Sequence, residues 1–279
     1  MSDLFPPFAP DANEPRKRFK PVPFRVIAPN LVTLIALCLG LTAIRLAYDG
    51  RLEPAVYAIL AAALLDGVDG RLARLLKGTS RFGAELDSLS DFLSFGAAPA
   101  LVLHTFVLHH VPGLGWTAAL IFAMAMALRL ARFNVMLDDP NRPEWQKNFF
   151  VGMAAPAGAI TSLLPLYLYF LGMPMGPGAA PVVLVYVLGL AFLTVSTIPM
   201  YSGKTMGKRV PRNWVLPIFL VTVATFGLIV NFPFEVLTLG TLLFLGSIPF
   251  GVRRYRALER ADRESTVVKA DPPEPTPSL

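Results

Sequence analysis

The sequence is poor in the residues that form covalent cross-links or bind soft metals. It has one cysteine, Cys38, and three histidines among its 279 residues. A single cysteine excludes an internal disulfide, and the shortage of sulfur and imidazole argues against a zinc site.

Charged residues are also scarce. Only 16% of the residues are charged and 54% are hydrophobic, and the mean hydropathy is +0.55. These values lie outside the range of soluble globular domains and predict a polytopic integral membrane protein. The net charge of +6 arises mostly in short connecting segments. That distribution is typical of membrane topology and anionic lipid, so we predict no nucleic-acid partner.

The apolar segments lack the apolar–polar alternation that marks a transmembrane barrel. Eight of them are near the length of about 20 residues that a bilayer-spanning helix needs: 27–48, 54–76, 85–109, 113–136, 151–171, 180–200, 213–231 and 234–251. Turn formers separate several of them, at 49–50, 112–113, 172–174 and 231–233. We predict an all-α polytopic bundle of about eight transmembrane helices at 26–252, between a basic, Pro-rich N-terminal segment (1–25) and a charged, Pro-rich tail (253–279).

Cations fall on alternate connections between these segments. They precede the first segment and follow the second, fourth, sixth and eighth, whereas the intervening loops hold only Arg51, with Arg45 nearby. Because positively charged loops stay on the cytoplasmic side of a membrane, we predict that both termini face the cytoplasm.

Four aspartates interrupt this apolar pattern. Asp66 and Asp69 lie three apart near the inner end of the second segment, and Asp87 and Asp91 lie four apart at the inner start of the third. Each pair therefore shares one helical face. The short connection KGTSRFG folds the third segment back on the second, so we expect the two pairs to face each other at the cytoplasmic membrane boundary.

Four converging carboxylates need a partner, because a charge in a membrane costs a few kcal/mol and neighbouring anions repel. One or two divalent cations would satisfy them, and two bridged metals suit the displacement of one phosphate oxygen by another. Solvated helix ends are a weaker explanation, since Asp66 and Asp69 lie toward a helix C-terminus, where an anion is disfavoured. A transporter that binds a cation or a proton remains an alternative.

The aspartates also belong to a longer pattern. It runs Asp66-x-x-Asp69-Gly70-x-x-Ala73-Arg74, then Gly83, Asp87 and Asp91 after gaps of eight, three and three residues. This pattern resembles the signature of the CDP-alcohol phosphotransferases, with every fixed position filled. The resemblance implies an integral membrane enzyme that displaces CMP from a CDP-linked molecule with an alcohol, and that holds divalent cations, two in number, as Mg²⁺ or Mn²⁺.

The resemblance also implies roles for the individual residues. Asp66, Asp69 and Asp87 would hold the metals, and Asp91 would complete the metal site and act as the base. The CDP part would contact Asp66, Gly70, Arg74 and Gly83. Elementary chemistry agrees with these roles, because arginine presents a cationic fork to phosphate, a carboxylate can accept a hydroxyl proton and glycine allows close backbone approach.

The stretch IAPNLVTL at 27–34 resembles the family's first helix, where Asn30 and Thr33 would approach the nucleotide. An alternative for Asn30 is that it caps the helix as it enters the membrane.

Four later stretches resemble the bacterial phosphatidylserine synthase branch of the family: DSLSDFLSFGAAPA at 87–100, LRLARFNV at 128–135, NFFVGMAAPAGA at 148–159 and TVSTIPMYSGK at 194–204. This resemblance implies CDP-diacylglycerol and L-serine as substrates, CMP as a product and the bacterial inner membrane with its lipids as the location. It also implies a homodimer.

A serine acceptor brings a carboxylate that needs a cationic partner. Arg129, Arg132, Asn134 and Lys147 are the candidates to bind it, although cations after a helix end are also expected from topology alone. Glycerol 3-phosphate and choline are alternative acceptors. The first would call for an additional basic cluster and the second for an aromatic cage.

Overall fold

The computed structural model describes residues 24–76, 78, 80–137, 149–196, 199–201 and 214–270. These residues contain ten α-helices: α1 (Phe24–Tyr48), α2 (Leu52–Leu75), α3 (Arg81–Asp91), α4 (Ala98–Phe106), α5 (Leu114–Leu137), α6 (Ala155–Ser162), α7 (Leu164–Phe170), α8 (Ala180–Val195), α9 (Val215–Asn231) and α10 (Pro233–Ala270). A π-helical turn, Phe92–Ala97, joins α3 to α4, and a 3₁₀ turn, Leu108–His110, follows α4. Two three-residue strands, β1 (Phe149–Val151) and β2 (Pro199–Tyr201), pair with each other.

Each of the eight predicted apolar segments is helical over most of its length, with α3 and α4 forming the third and α6 and α7 the fifth. Among the described residues, four helical segments are long and apolar enough to cross a membrane: Ile27–Tyr48, Arg81–Phe106, Leu114–Met136 and Pro233–Arg253. Three further apolar segments, Ala155–Phe170, Ala180–Val195 and Val215–Asn231, are shorter. The second segment, α2, has 24 residues but is interrupted by Asp66 and Asp69 and is in neither group. The fold is thus that of a helical membrane protein.

The turns lie where glycine and proline predicted them. Gly50, Gly113 and Gly172 have φ values of 73°, 73° and 92°, in the left-handed region that glycine enters without steric cost. Proline is favoured at the first turn of a helix, and α10 accordingly begins at Pro233, directly after the predicted break.

Two predicted boundaries were wrong. The sixth segment ends at Val195 rather than at 200, because Pro199 lies in β2, which pairs antiparallel with β1. Apart from this pair of three-residue strands, the regular structure of the described residues is helical, as the all-α prediction requires. The last helix continues to Ala270, well beyond the predicted end at 251, because the sequence has no glycine or proline between Gly251 and Pro272 to stop it.

Small residues bring α1 and α2 into the most extensive helix–helix contact of the described fold. Ala36, Ala43 and Ala47 on α1 and Ala55, Ala58 and Ala62 on α2 are all buried. Small side chains let two backbones approach closely, which is how helices pack within a bilayer. Large apolar side chains such as Val182, Phe192 and Leu216 are instead more than two-thirds exposed, as expected of surfaces that face hydrocarbon.

Proline breaks the fifth segment into α6 and α7. Pro165 has no backbone N–H, so the Thr161 carbonyl four residues earlier loses its helical donor. The hydroxyl of Tyr186 on α8 donates to that carbonyl instead, and the hydroxyl of Tyr167 donates to the Ile160 carbonyl. In a membrane core without water, such replacement donors are needed.

One end of the bundle collects the groups of functional interest. The first half of α1, the end of α2 and the start of α3 meet there. The end of α5 joins them, because Asn134 donates a hydrogen bond to Ser88 on α3. The end of α8 is attached in turn by Arg132, which donates to the Thr194 and Ser196 carbonyls.

Candidate active site

A cleft of about 240 Å³ lies between α1, α2 and α3 at this end of the bundle. Twelve residues line it: Pro29, Asn30, Thr33, Asp69, Gly70, Ala73, Arg74, Gly78, Ser80, Gly83, Ala84 and Asp87. All the residues predicted to contact the nucleotide are on its wall except Asp66, which lies beside Asp69. The structure therefore brings residues from 29 to 87 into one cavity.

The aspartates converge next to this cleft. Asp66, Asp69 and Asp87 each offer a carboxylate oxygen, and these oxygens lie within 4.8 Å of one another. The carboxyl group of Asp91 interacts with that of Asp66. The pair on α2 thus faces the pair on α3, as the spacing of the aspartates predicted.

The donor set fits a hard divalent cation. Carboxylates this close repel one another unless a cation or a proton lies among them. Within the described part of the chain, the one ion pair shorter than 4.0 Å joins Arg45 and Asp49, so no basic side chain neutralises the cluster by direct contact. Ligands that are all oxygen suit Mg²⁺ or Mn²⁺. Asp66, Asp69 and Asp87 are the residues that would hold such an ion.

Asp69 is fixed from α1. The Thr33 hydroxyl donates a 2.7 Å hydrogen bond to Asp69 Oδ2, and the Ser90 hydroxyl on α3 donates a 3.2 Å hydrogen bond to the Thr33 carbonyl. The three side chains are buried. Thr33 was predicted to contact the nucleotide. It does line the cleft, but its hydroxyl is directed at the carboxylate.

The two signature glycines serve different purposes. At Gly70, an added Cβ would meet nothing within 4 Å, so this residue borders open space in the cleft. At Gly83, an added Cβ would lie 2.8 Å from Asn30 Oδ1 and 3.1 Å from Ser80 Oγ. Gly70 therefore leaves room for a ligand, whereas Gly83 leaves room for the side chains of Asn30 and Ser80.

Arg74 lies at the rim of the cleft. Its Nε donates a 3.0 Å hydrogen bond to the Gly70 carbonyl one turn earlier on α2. The side chain is exposed. This hydrogen bond orients the guanidinium group at the edge of the cavity, where it can bind an anion in solvent.

Arg129 is the buried cation of this region, with only 7% of its surface exposed. Its guanidinium carbon lies 5.5 Å from the ring centroid of Phe133, a distance at which a cation and an aromatic face attract. It also interacts electrostatically with Asp66 and Asp91. It makes no ion pair with either, so its nitrogens lie more than 4.0 Å from their carboxylate oxygens.

The other predicted acceptor-binding residues have partners of their own. Arg132 Nη2 donates to the Ser196 carbonyl at 3.2 Å and to the Thr194 carbonyl at 3.5 Å. Gly152, at φ 76°, packs against the same carbonyls. Asn134 Nδ2 donates to Ser88 Oγ at 2.9 Å. Lys147 lies outside the described residues.

Sequence analysis did not identify two residues of the site. Ser80 caps α3, its hydroxyl accepting a 3.0 Å hydrogen bond from the Gly83 N–H. A serine three residues before the signature glycine is the sequence signal that could have revealed this cap. Ser90 is the second omission, and a serine directly before Asp91 gives no comparable signal because its acceptor is 57 residues away.

Comparison with known proteins extends these observations. The sequence profile of the family described as CDP-alcohol phosphatidyltransferase matches residues 26–252. A protein of Mycobacterium leprae (strain TN) named CDP-diacylglycerol–serine O-phosphatidyltransferase is 40% identical over 238 residues, covering 83% of this chain and 76% of that protein. Proteins with the same name in Helicobacter pylori (strain ATCC 700392 / 26695) and Bacillus subtilis (strain 168) are 31% and 30% identical, covering 78% and 61% of this chain and 87% of each relative.

These matches confirm the resemblance that the aspartate signature indicated. The family profile spans every helix that contributes to the cleft, and the similarity to the mycobacterial relative covers most of both sequences. The chain belongs to the CDP-alcohol phosphatidyltransferase family.

Proposed function

We propose that the protein transfers the phosphatidyl group of CDP-diacylglycerol to the hydroxyl of L-serine, forming phosphatidylserine and releasing CMP. One observation carries the proposal: three carboxylates converge beside a cleft lined by the signature glycines and Arg74. With divalent cations on the carboxylates, that arrangement is suited to binding a pyrophosphate. The names of the relatives from three bacterial genera support serine as the acceptor.

In the proposed reaction, the serine hydroxyl oxygen bonds to the phosphorus that carries diacylglycerol. The bond from that phosphorus to the CMP oxygen breaks. Asp91, one turn after Asp87 and beside Asp66, accepts the hydroxyl proton. Two divalent cations, Mg²⁺ or Mn²⁺, held by Asp66, Asp69, Asp87 and Asp91, would neutralise the pyrophosphate and the leaving group.

The remaining residues bind and orient the substrates. Arg74 at the rim would pair with a phosphate oxygen of CDP, while the open space beside Gly70 receives the nucleotide. Arg129, which interacts electrostatically with Asp91, would bind the serine carboxylate through its guanidinium group. A buried cation that stacks on Phe133 is well placed for this role, because little of its charge is screened by water.

We also propose eight membrane spans, with both termini and the cleft on the cytoplasmic side of the bacterial inner membrane. The alternation of positively charged loops supports this topology. The substrates support it too, since serine and CMP are water-soluble whereas the acyl chains of CDP-diacylglycerol stay in the bilayer. By the same family resemblance, we expect a homodimer.

A parallel assay of the purified protein tests the acceptor. CDP-diacylglycerol is supplied with serine, glycerol 3-phosphate or choline, with Mg²⁺, Mn²⁺ or a chelator, and both CMP and the lipid product are measured. Of the three acceptors, we expect only serine to give CMP and a lipid product, which is phosphatidylserine. We expect no turnover when the chelator replaces the metal. A choline or glycerophosphate lipid formed in place of phosphatidylserine would contradict the assignment.

The same preparation distinguishes the enzyme from a transporter. In liposomes, a transporter would carry a cation across the bilayer without CMP formation. We expect CMP formation without cation flux. Flux without CMP would refute an enzymatic role.

A further inference from the structure

Three buried polar groups from three different helices form one hydrogen-bonded chain. Ser90 on α3 donates to the backbone of Thr33 on α1, and Thr33 donates to the carboxylate of Asp69 on α2. Ser90, Thr33 and Asp69 are 3%, 5% and 4% exposed. Polar side chains that are this buried are usually hydrogen-bonded within the protein, as these are.

The hydrogen of the Thr33 hydroxyl has two acceptors within reach. The Pro29 carbonyl lies at 3.2 Å and Asp69 Oδ2 at 2.7 Å. A hydroxyl has one hydrogen to donate. The shorter bond, to a charged acceptor, is the stronger of the two, so the hydrogen belongs mainly to Asp69.

Ser90 and its neighbour one turn later hold α1 against α3. The Ser94 hydroxyl donates to the Ala36 carbonyl at 3.2 Å, which repeats the bond from Ser90 to Thr33. At Gly40, an added Cβ would lie 2.5 Å from Ser94 Oγ, so the two helices approach as closely as glycine permits. The position of Thr33 is therefore set by the helix that carries Asp87.

We propose that Thr33, fixed by Ser90, is a positioning residue that orients the Asp69 carboxylate as a ligand for a divalent cation. This inference rests on the proposed function and departs from the predicted contact of Thr33 with CDP. A hydrogen bond to one carboxylate oxygen stops the group from rotating and leaves lone pairs of the carboxylate for a cation. Partners of this kind typically change metal affinity by about 10- to 100-fold when they are removed.

The test measures Mn²⁺ binding to the detergent-purified full chain without nucleotide or lipid, by electron paramagnetic resonance. The Thr33→Val variant removes the hydroxyl and keeps the shape, and we expect Mn²⁺ affinity to fall by about 10- to 100-fold. Thr33→Ser restores the hydroxyl and should bring the affinity close to that of the wild type. Ser90→Ala leaves Thr33 and Asp69 in place and should give a smaller loss.

Thr42→Val is the matched control. Thr42 lies on the same helix, but its hydroxyl is exposed and donates only to the Cys38 carbonyl of α1 at 2.7 Å. We expect unchanged Mn²⁺ affinity for this variant. Thermal unfolding without cation verifies that each variant is folded, and if Thr33→Val is not, Thr33→Ser and Ser90→Ala still provide the comparison.

Three results would overturn the proposal. Wild-type Mn²⁺ affinity in Thr33→Val, with weaker binding of CMP at saturating Mn²⁺, would mean that Thr33 contacts the nucleotide instead. Wild-type affinity in both Thr33→Val and Ser90→Ala, together with loss of binding in Asp69→Ala, would refute positioning and leave the proposed function intact. If the wild-type protein binds no Mn²⁺, the metal site fails, and the proposed function fails with it.

Discussion

A Cβ atom on Gly83 would lie 2.8 Å from the side-chain oxygen of Asn30. That distance is shorter than carbon and oxygen atoms tolerate without movement. The side chain of Asn30 on α1 therefore occupies the space that a side chain at residue 83 would need. Gly70, the other signature glycine on the same cleft, faces open space instead.

The two glycines should respond differently to alanine. Gly83→Ala displaces the side chain of Asn30 and disturbs the Ser80 cap, and we expect destabilisation of about 1–3 kcal/mol. Gly70→Ala adds a methyl group to open space within α2, where alanine favours the helix by about 1 kcal/mol. Its stability should be equal or higher while its affinity for CMP falls. Thermal unfolding and calorimetric titration with CMP measure both effects. Equal thermal stabilities of the two variants would contradict this distinction.

Asp91→Asn should separate proton transfer from metal binding. The amide keeps the size of the side chain but cannot accept the serine proton. We expect kcat to fall by about 100- to 10,000-fold, with Mn²⁺ still bound by Asp66, Asp69 and Asp87, more weakly than in the wild type because Asp91 no longer completes the site. Asp69→Asn serves as the comparison, because this variant should lose both Mn²⁺ binding and activity. Undiminished CMP release by Asp91→Asn would exclude Asp91 as the base.

Arg129→Gln should weaken the binding of serine without weakening the binding of CDP-diacylglycerol. A hydrogen bond to a charged group contributes about 1.5–3 kcal/mol, so KM for serine should rise by about 10- to 100-fold. KM for CDP-diacylglycerol should change little. Arg129→Lys keeps the charge but loses the planar fork and the stacking on Phe133, so we expect an intermediate value.

Ethanolamine, which is serine without its carboxylate, provides the control for Arg129. If the guanidinium group binds that carboxylate, the variant should lose its preference for serine over ethanolamine. Steady-state kinetics with both acceptors measure this ratio. A preference equal to that of the wild type would show that Arg129 acts elsewhere.

Tyr186→Phe should destabilise the junction between α6 and α7. The variant removes the donor that satisfies the Thr161 carbonyl, and an unpaired buried carbonyl costs about 1–3 kcal/mol. Tyr169→Phe, at a 44% exposed position, is the control and should have little effect. Unfolding in detergent measures both.

Because Pro165 creates the unpaired carbonyl, Pro165→Ala should reduce the destabilisation caused by Tyr186→Phe in the double variant. Additive effects of the two substitutions on the free energy of unfolding would argue against this coupling.

Apolar patterning predicted most of the fold, because each helix must cover its backbone with a continuous apolar stretch. The turns at Gly50, Gly113 and Gly172 followed from local chemistry in the same way. The strands β1 and β2 could not be anticipated, since they have three residues each and pair across 48 residues of chain, from Val151 to Pro199.

The candidate active site, too, could be predicted only where it depends on spacing within a helix and not on contacts between helices. The aspartates and glycines could be placed because their spacing within α2 and α3 puts them on one face. The hydrogen bonds of Arg132 could not, since its acceptors lie 62 and 64 residues further along the chain. Ser90 likewise depends on an acceptor in another helix. A periodic pattern shows which residues share a face, but it does not show which other helix that face meets.

The π-helical turn Phe92–Ala97 begins one residue after Asp91. Such a turn corresponds to one residue inserted into an α-helix, and each residue rotates a helix by about 100°. The half of this span that carries the aspartates, α3, and the distal half, Ala98–Phe106, consequently have different rotations about the helix axis. Deleting one residue from the turn would rotate the distal half about the helix axis by more than a quarter of a revolution. The carboxylates of α3 would keep their direction. The π-helical turn therefore lets the apolar half of the span adopt the rotation that its packing needs without moving the aspartates of α3.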